Sequence, residues 1–140
     1  MTHPRKTTRD AVKERLAGIT LNDVEINRFV NRTQDLDPSE LPAAAVLTPE
    51  EASERADKSG NVDRRLSVLI VIAIDAEKAD DVDDELDGWA ELVEQALKQM
   101  PLGAAKRFTL TATSLDLPAV EEGETWVGYL AMEYEAEIFG

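Results

Sequence analysis

Arg64-Arg65-Leu66-Ser67-Val68-Leu69-Ile70-Val71-Ile72-Ala73-Ile74, followed after a short break by Val82 to Met100, decides the fold of this chain. The first stretch is rich in β-branched residues and is apolar at odd and even positions alike. That pattern belongs to a central strand covered on both faces. In the second stretch Leu86, Trp89, Ala90, Val93, Ala96, Leu97 and Met100 recur at helical spacing. The spacing predicts one long helix over about residues 82–100 with a single apolar stripe. Its acidic opening, Asp80-Asp81-Val82-Asp83-Asp84-Glu85, sits at the positive end of the macrodipole. Pro101 and Gly103 are expected to end it.

Two more strands follow. In Arg107–Asp116, Phe108, Leu110, Ala112 and Ser114 alternate with Thr109, Thr111, Thr113 and Leu115. A turn is expected at 118–123. In Thr125–Phe139, Trp126, Gly128, Leu130, Met132, Tyr134, Ala136 and Ile138 share one face; Val127, Tyr129, Ala131, Glu133, Glu135 and Glu137 share the other. The second face passes from apolar to acidic along the strand.

Upstream, Leu41-Pro42-Ala43-Ala44-Ala45-Val46-Leu47-Thr48 reads as a strand with proline near its start, where a missing N–H costs little. Residues 49–61 read as a mobile polar hairpin loop joining it to the strand at 62–74, ordered only on binding. Glu25 to Val30 admits a short strand, and residues 35–39 read as a loop. A short N-terminal helix is capped by Thr7 or Thr8, runs to about Leu16 and stops at Gly18. Residues 1–6 are expected to be a flexible tail. The chain is thus a single α+β domain: a mixed, mostly antiparallel sheet, one long helix on a face and a short N-terminal helix.

With 140 residues, of which 43% are hydrophobic, the chain holds one domain with a real core. The formal net charge is −14. A polyanion does not grip nucleic acid or an anionic membrane without a basic patch. The charge is also uneven. Residues 1–34 carry seven bases and four acids, whereas no base follows Arg107. There is no cysteine, hence no disulfide, thiolate zinc site or thiol nucleophile. The N-terminus MTHPRKTTRD lacks the apolar stretch of a secretory signal. The longest apolar run, Val68 to Ile74, is far short of the ~20 residues that span a bilayer. The expectation is a soluble protein of the cytoplasm.

Catalytic signatures are missing: there is no glycine-rich phosphate loop, nucleophile elbow or zinc-binding H-E-x-x-H. The sole histidine is His3. The chain reads as a non-enzyme, with no catalytic residues and no cofactor. One near-match concerns a metal. Asp83, Glu85, Asp87, Gly88 and Glu94 follow the spacing of a calcium loop, apart from Glu85 at the third place. A strand precedes the motif where a helix is required, and Trp89, Ala90 and Val93 fall in register with a helix already begun. Asp83, Glu85, Asp87 and Glu94 are therefore weak metal candidates inside a helix. Arg28, Arg32, Arg55, Arg64 and Arg65, with Lys58, read either as solvated charges and edge guards or as the positive half of a contact between copies of the chain.

Four segments carry a family likeness: the helix KTTRDAVKERLAG; ELPAAAVLTPEEASE; the strand LSVLIVIAI followed by DDVDDELDGWAELVEQAL; and the terminal pair LTATSLDL and GYLAMEYEAEIF. Together they cover most of residues 5–139, and residues 19–37 match least. In element order and composition the chain resembles the phage tail terminator family, the minor tail protein U type of long-tailed phages. The resemblance implies a structural virion protein without catalytic residues. Such proteins form a homo-hexameric ring that caps the tail tube, stops its growth and presents a surface for head–tail joining. The implied partners are other copies of the chain, the tail tube protein and the head–tail connector protein. The implied location is the head-proximal end of the tail, reached from the host cytoplasm.

The charge adds two expectations. A tail ring lets DNA pass without holding it, so Glu133, Glu135 and Glu137, or the 80–87 cluster, are expected to face the lumen or a docking surface. Protomers at −14 repel one another, so salt or a divalent cation is expected to promote assembly. The competing readings are another head–tail joining or tail completion protein and, from a different class, a small acidic calcium-binding module.

Overall fold

The computed structural model describes residues 3–21, 24–26, 28–30, 41–55, 62–76, 79–99, 102–116 and 126–139. The elements run α1 (Pro4–Ala17), β1 (Thr20–Leu21), β2 (Val24–Glu25), β3 (Arg28–Phe29), β4 (Ala43–Arg55), β5 (Val62–Ala76), α2 (Ala79–Ala96), β6 (Arg107–Asp116) and β7 (Trp126–Ile138). β1 and β2 form a small antiparallel ribbon; the main sheet has the order β3-β4-β5-β7-β6. Only the β3–β4 pair is parallel. The other pairs are antiparallel, so the fold is α+β with a mixed, mostly antiparallel sheet.

β5 lies at the centre because it is the longest apolar run. Its even residues Leu66, Val68, Ile70, Ile72 and Ile74 are buried beneath the helices. In register with them are Ala44 and Val46 of β4, and Leu130, Met132 and Ala136 of β7. α2 supplies Val82, Leu86, Trp89, Val93 and Leu97, all buried, and α1 supplies Val12 and Leu16. Each of the buried Val, Leu, Ile and Met side chains contributes roughly 1.5–3 kcal/mol through its removal from water. α2 packs on β5 and β7, and α1 packs on β4. Two cross-links hold α1 in place: Arg9 donates to Thr48 Oγ1 at 2.6 Å, and Arg15 donates to the Ala96 carbonyl at 3.0 Å. The second puts a cation at the negative end of α2.

Both helices lie on this one face. The odd face of β5 is only half buried at Ser67, Leu69, Val71 and Asp75, and Arg65 is exposed. Its apolar appearance reflects a central position between two strands, and no second layer covers it among the described residues. Ala43, Ala73 and Leu41 form a small separate cluster there with Val127 and Tyr129.

Several expectations need correction. The picture of one long and one short helix does not hold: α1 has 14 residues and α2 has 18. α1 starts at Pro4, so residues 4–6 are helix and not tail. His3 is the cap, its Nδ1 accepting from the Arg5 amide at 3.0 Å, with proline in the first turn. Thr7 and Thr8 lie inside the helix, and Thr8 is fully buried. α2 begins at Ala79 and ends at Ala96, not 82–100, because its acids join the first turns and the chain leaves helical geometry before Pro101. The expected loop at 49–61 is strand as far as Arg55, paired from Glu50↔Ser67 to Arg55↔Val62. Pro49 falls at the irregularity between Leu47 and Glu50, a position that tolerates a missing donor. Residues 56–61, and the expected loops at 35–39 and 118–123, lie outside the described residues.

Candidate assembly surface

The face of the sheet turned away from the helices carries Glu133, Glu135 and Glu137 and, of the arginines singled out in the sequence, Arg65. Strand register arranges it in rows running β4, β5, β7, β6. At one end come Ala43–Ala73–Tyr129–Asp116 and Ala45–Val71–Ala131–Ser114, then Leu47–Leu69–Glu133–Ala112. At the other end come Glu50–Ser67–Glu135–Thr109 and Ala52–Arg65–Glu137–Arg107. The surface therefore passes from apolar and small to charged over five rows. The strand period of two produces this, since β4 and β7 both carry their acids at the end remote from the Ala-rich rows.

Glu133, Glu135 and Glu137 all lie on this face, as their alternation predicts. Ser67 donates to Glu133 at 3.3 Å. Arg65 stands 3.8 Å from Glu135, and Arg107 stands 3.6 Å from Glu137. Arg107 also lies over the Phe139 ring at 5.9 Å. Arg65 and Arg107 are well exposed. Such pairs stabilise by ~0–1 kcal/mol, so exchanging one for a neighbour's group costs little. A broad groove of about 660 Å³ crosses the charged rows, bordered by Glu50, Ala52, Arg65, Ser67, Glu133 and Glu135. It offers the Arg65 guanidinium among the carboxylates of Glu50, Glu133 and Glu135, a surface suited to charge pairing with another protein.

The five arginines separate. Arg65 belongs to the open face. Arg64, one residue earlier, points to the other side, where it donates to Glu51 Oε2 at 2.8 Å; Ser53 donates to the same oxygen at 2.7 Å. The Arg64–Glu51 pair is largely buried, so Arg64 is engaged within the chain and not available as a contact charge. Burial pushes the Glu51 carboxyl up, but the bonds from Ser53 and Arg64 and the Arg64 charge outweigh it, and its pKa lies below the ordinary value. Arg28 and Arg55 are placed by backbone alone, in β3 and at the end of β4. Arg32 and Lys58 lie outside the described residues.

The calcium-loop residues are not brought together. Asp83, Glu85, Asp87 and Glu94 lie within the continuous helix α2, whose backbone cannot wrap oxygens around one ion. Among the described residues no group of three or more metal-ligating side chains comes together. Glu85 does differ from its neighbours. Burial, then the charges of Asp75 and Asp81, push its carboxyl up. Tyr134, under the helices and stacked on Phe108 at 4.5 Å, is pushed up to about 12 by burial and then by the Glu94 charge.

The basic end of β6 escaped the sequence reading of sites. Lys106 and Arg107 are exposed at the start of an edge strand. The signal was present, since Arg107 is the last base in the chain, but only the sheet order shows that it borders an open edge. No described helix is long and apolar enough to cross a membrane. A scan against protein-family models finds no match to this chain, and a search of the curated proteins finds none either.

Proposed function

We propose that this chain is a structural, non-enzymatic subunit of a long-tailed phage virion, which assembles into a ring that terminates the tail tube and offers a surface for head–tail joining. One observation carries the reading. A five-stranded sheet keeps both helices on one face and leaves the other open, graded from apolar to charged with both signs present. A ring subunit has use for such a layer, with strand edges left for its neighbours and a charged face left for the lumen or a docking partner. The resemblance in element order and in the sequence segments quoted above supports the choice of family. Copies of the chain, the tube protein and the connector protein are the partners, and DNA is a passing polyanion.

Glu133, Glu135 and Glu137 fit a lumen or docking face, where negative charge prevents DNA from adhering. No cofactor takes part, and a divalent cation acts only by screening repulsion between acidic protomers. Electron microscopy of negatively stained protein tests the reading. It predicts six-fold rings with an open centre. Compact particles without a lumen, or rings whose lumen proves strongly basic, contradict it.

A further inference from the structure

Among the described residues the main sheet ends in two uncovered edges, and the two are complementary. β6 is one edge along its whole length, from Arg107 to Asp116. The other is β4, because β3 covers only Ala43 and Ala44 and leaves Ala45 to Arg55 beyond it. An uncovered strand edge offers a row of unpaired N–H and C=O groups and is a template for another strand. β6 contains no proline or glycine to blunt it.

Three features match one edge to the other. The first is polarity. β4, β5, β7 and β6 alternate in direction, so β6 of one copy beside β4 of the next continues the antiparallel pattern. The second is shape. Register is disturbed between Leu47 and Glu50 on β4 and between Leu110 and Ala112 on β6. Through the central strands both disturbances fall at the level of Val68 and Tyr134, since Leu47 stands opposite Leu69, Glu50 opposite Ser67, and Leu110 opposite Tyr134. Both edges therefore bend along one line across the sheet, and a joined pair keeps its bends in step. The third is charge. Lys106 and Arg107 flank β6 at the same end of the sheet where β4 carries Glu50 and Glu54. Arg107 stands at the level of Ala52, within diagonal reach of acids two residues to either side.

We infer that copies of this chain join edge to edge, β6 of one protomer adding to β4 of the next in one continuous antiparallel sheet. The contact uses two different surfaces, so it is head to tail and repeats until a ring closes. The covered face carries both helices in addition to its buried Leu, Ile, Val and Met side chains, which makes it the bulkier side of the layer. Closure therefore brings the open face, with Glu133, Glu135 and Glu137, to the inside. The inference rests on the ring reading above and specifies its joint.

The absence of cysteine makes a direct test possible. Within one chain β4 and β6 are three strand spacings apart, about 14 Å, whereas a disulfide needs Cα atoms within about 7 Å. Thr109→Cys on β6 is combined in turn with Glu50→Cys, Ala52→Cys or Glu54→Cys on β4, and the protein is oxidised in magnesium. The expected result is a ladder of disulfide-linked multimers from at least one pair, with no ladder from either cysteine alone. Charge reversal supplies the second arm. Arg107→Glu or Glu50→Lys alone loses the multimer by light scattering, and the two together restore it. If rings form but none of the three pairs cross-links, the edge joint is wrong and the ring reading stands. If every variant and the parent stay monomeric, both fall.

Discussion

The two faces of the central sheet are made from the same strands yet behave as different materials. Beneath the helices lie Leu66, Val68, Ile70, Ile72, Leu130 and Met132, fully buried against Trp89, Leu86 and Val93. On the opposite face Leu69 and Val71 are half covered, and the rows beyond them end in Arg65, Glu135 and Glu137. The difference teaches that stability rests on one side of the layer, and the proposed assembly would draw on what the other side and the edges leave free. A face filled by its own helices has nothing left to offer a partner. The open face and its edges keep small residues and weakly paired charges that can be exchanged.

The largest test of this contrast compares Trp89→Ala with Val71→Ala. Trp89 is 2% exposed at the centre of the helix-covered face, so its truncation is expected to cost about 3–5 kcal/mol. Val71→Ala is expected to cost about 1 kcal/mol. Urea denaturation of the two variants checks this, and equal losses break the distinction between the faces.

Gly103→Ala comes next. Gly103 has φ +58°, and an added Cβ would stand 2.9 Å from the Thr7 carbonyl oxygen and 3.1 Å from Ala11 Cβ in α1. Left-handed strain together with that contact is expected to cost about 2 kcal/mol. The drop in thermal midpoint measures it.

Adjacent arginines sharpen the comparison further. Arg64→Ala leaves the Glu51 carboxylate desolvated without its partner, at an expected cost of about 1–3 kcal/mol. Arg65→Ala, on the open face, is expected to stay within about 0.5 kcal/mol. The pH profile separates the two again. The Glu51 pKa is lowered on folding from the ordinary 4.5. Its contribution is therefore present above pH 4.5 and lost as pH falls through the folded value. Urea midpoints measured down this acid limb are expected to fall less steeply in Arg64→Ala than in the parent.

Glu85→Gln is the smallest effect and has the opposite sign. The Glu85 pKa is raised, so its carboxylate opposes folding as pH rises through the folded value. The glutamine variant is expected to gain stability at neutral pH, by less than about 0.5 kcal/mol, and to match the parent in acid.

The strands and the apolar stripe of α2 were legible because burial on one face imprints a period on the sequence. β6 spans 107–116 as expected, but the irregularity between Leu110 and Ala112 breaks its alternation and turns Ala112 and Ser114 to the open face, away from Phe108 and Leu110; the inward residues of β7 are those that share a parity. The odd face of β5 was misread because Leu69, Val71 and Ala73 look the same in sequence whether or not a second layer covers them. α1 began earlier than expected because histidine is not among the usual capping residues. The pairing of Arg65 with Glu135 and of Arg107 with Glu137 depends on strand register. So does the match between the β4 and β6 edges, which no local pattern reveals.

The central claim is that copies of this chain join through the edges of the sheet into a ring whose inside the open face lines. The most direct measurement is particle mass by light scattering as magnesium and ionic strength are raised. Protomers at −14 are expected to shift from monomer toward a hexamer as repulsion is screened. A mass that remains that of the monomer at every salt and magnesium concentration contradicts the account.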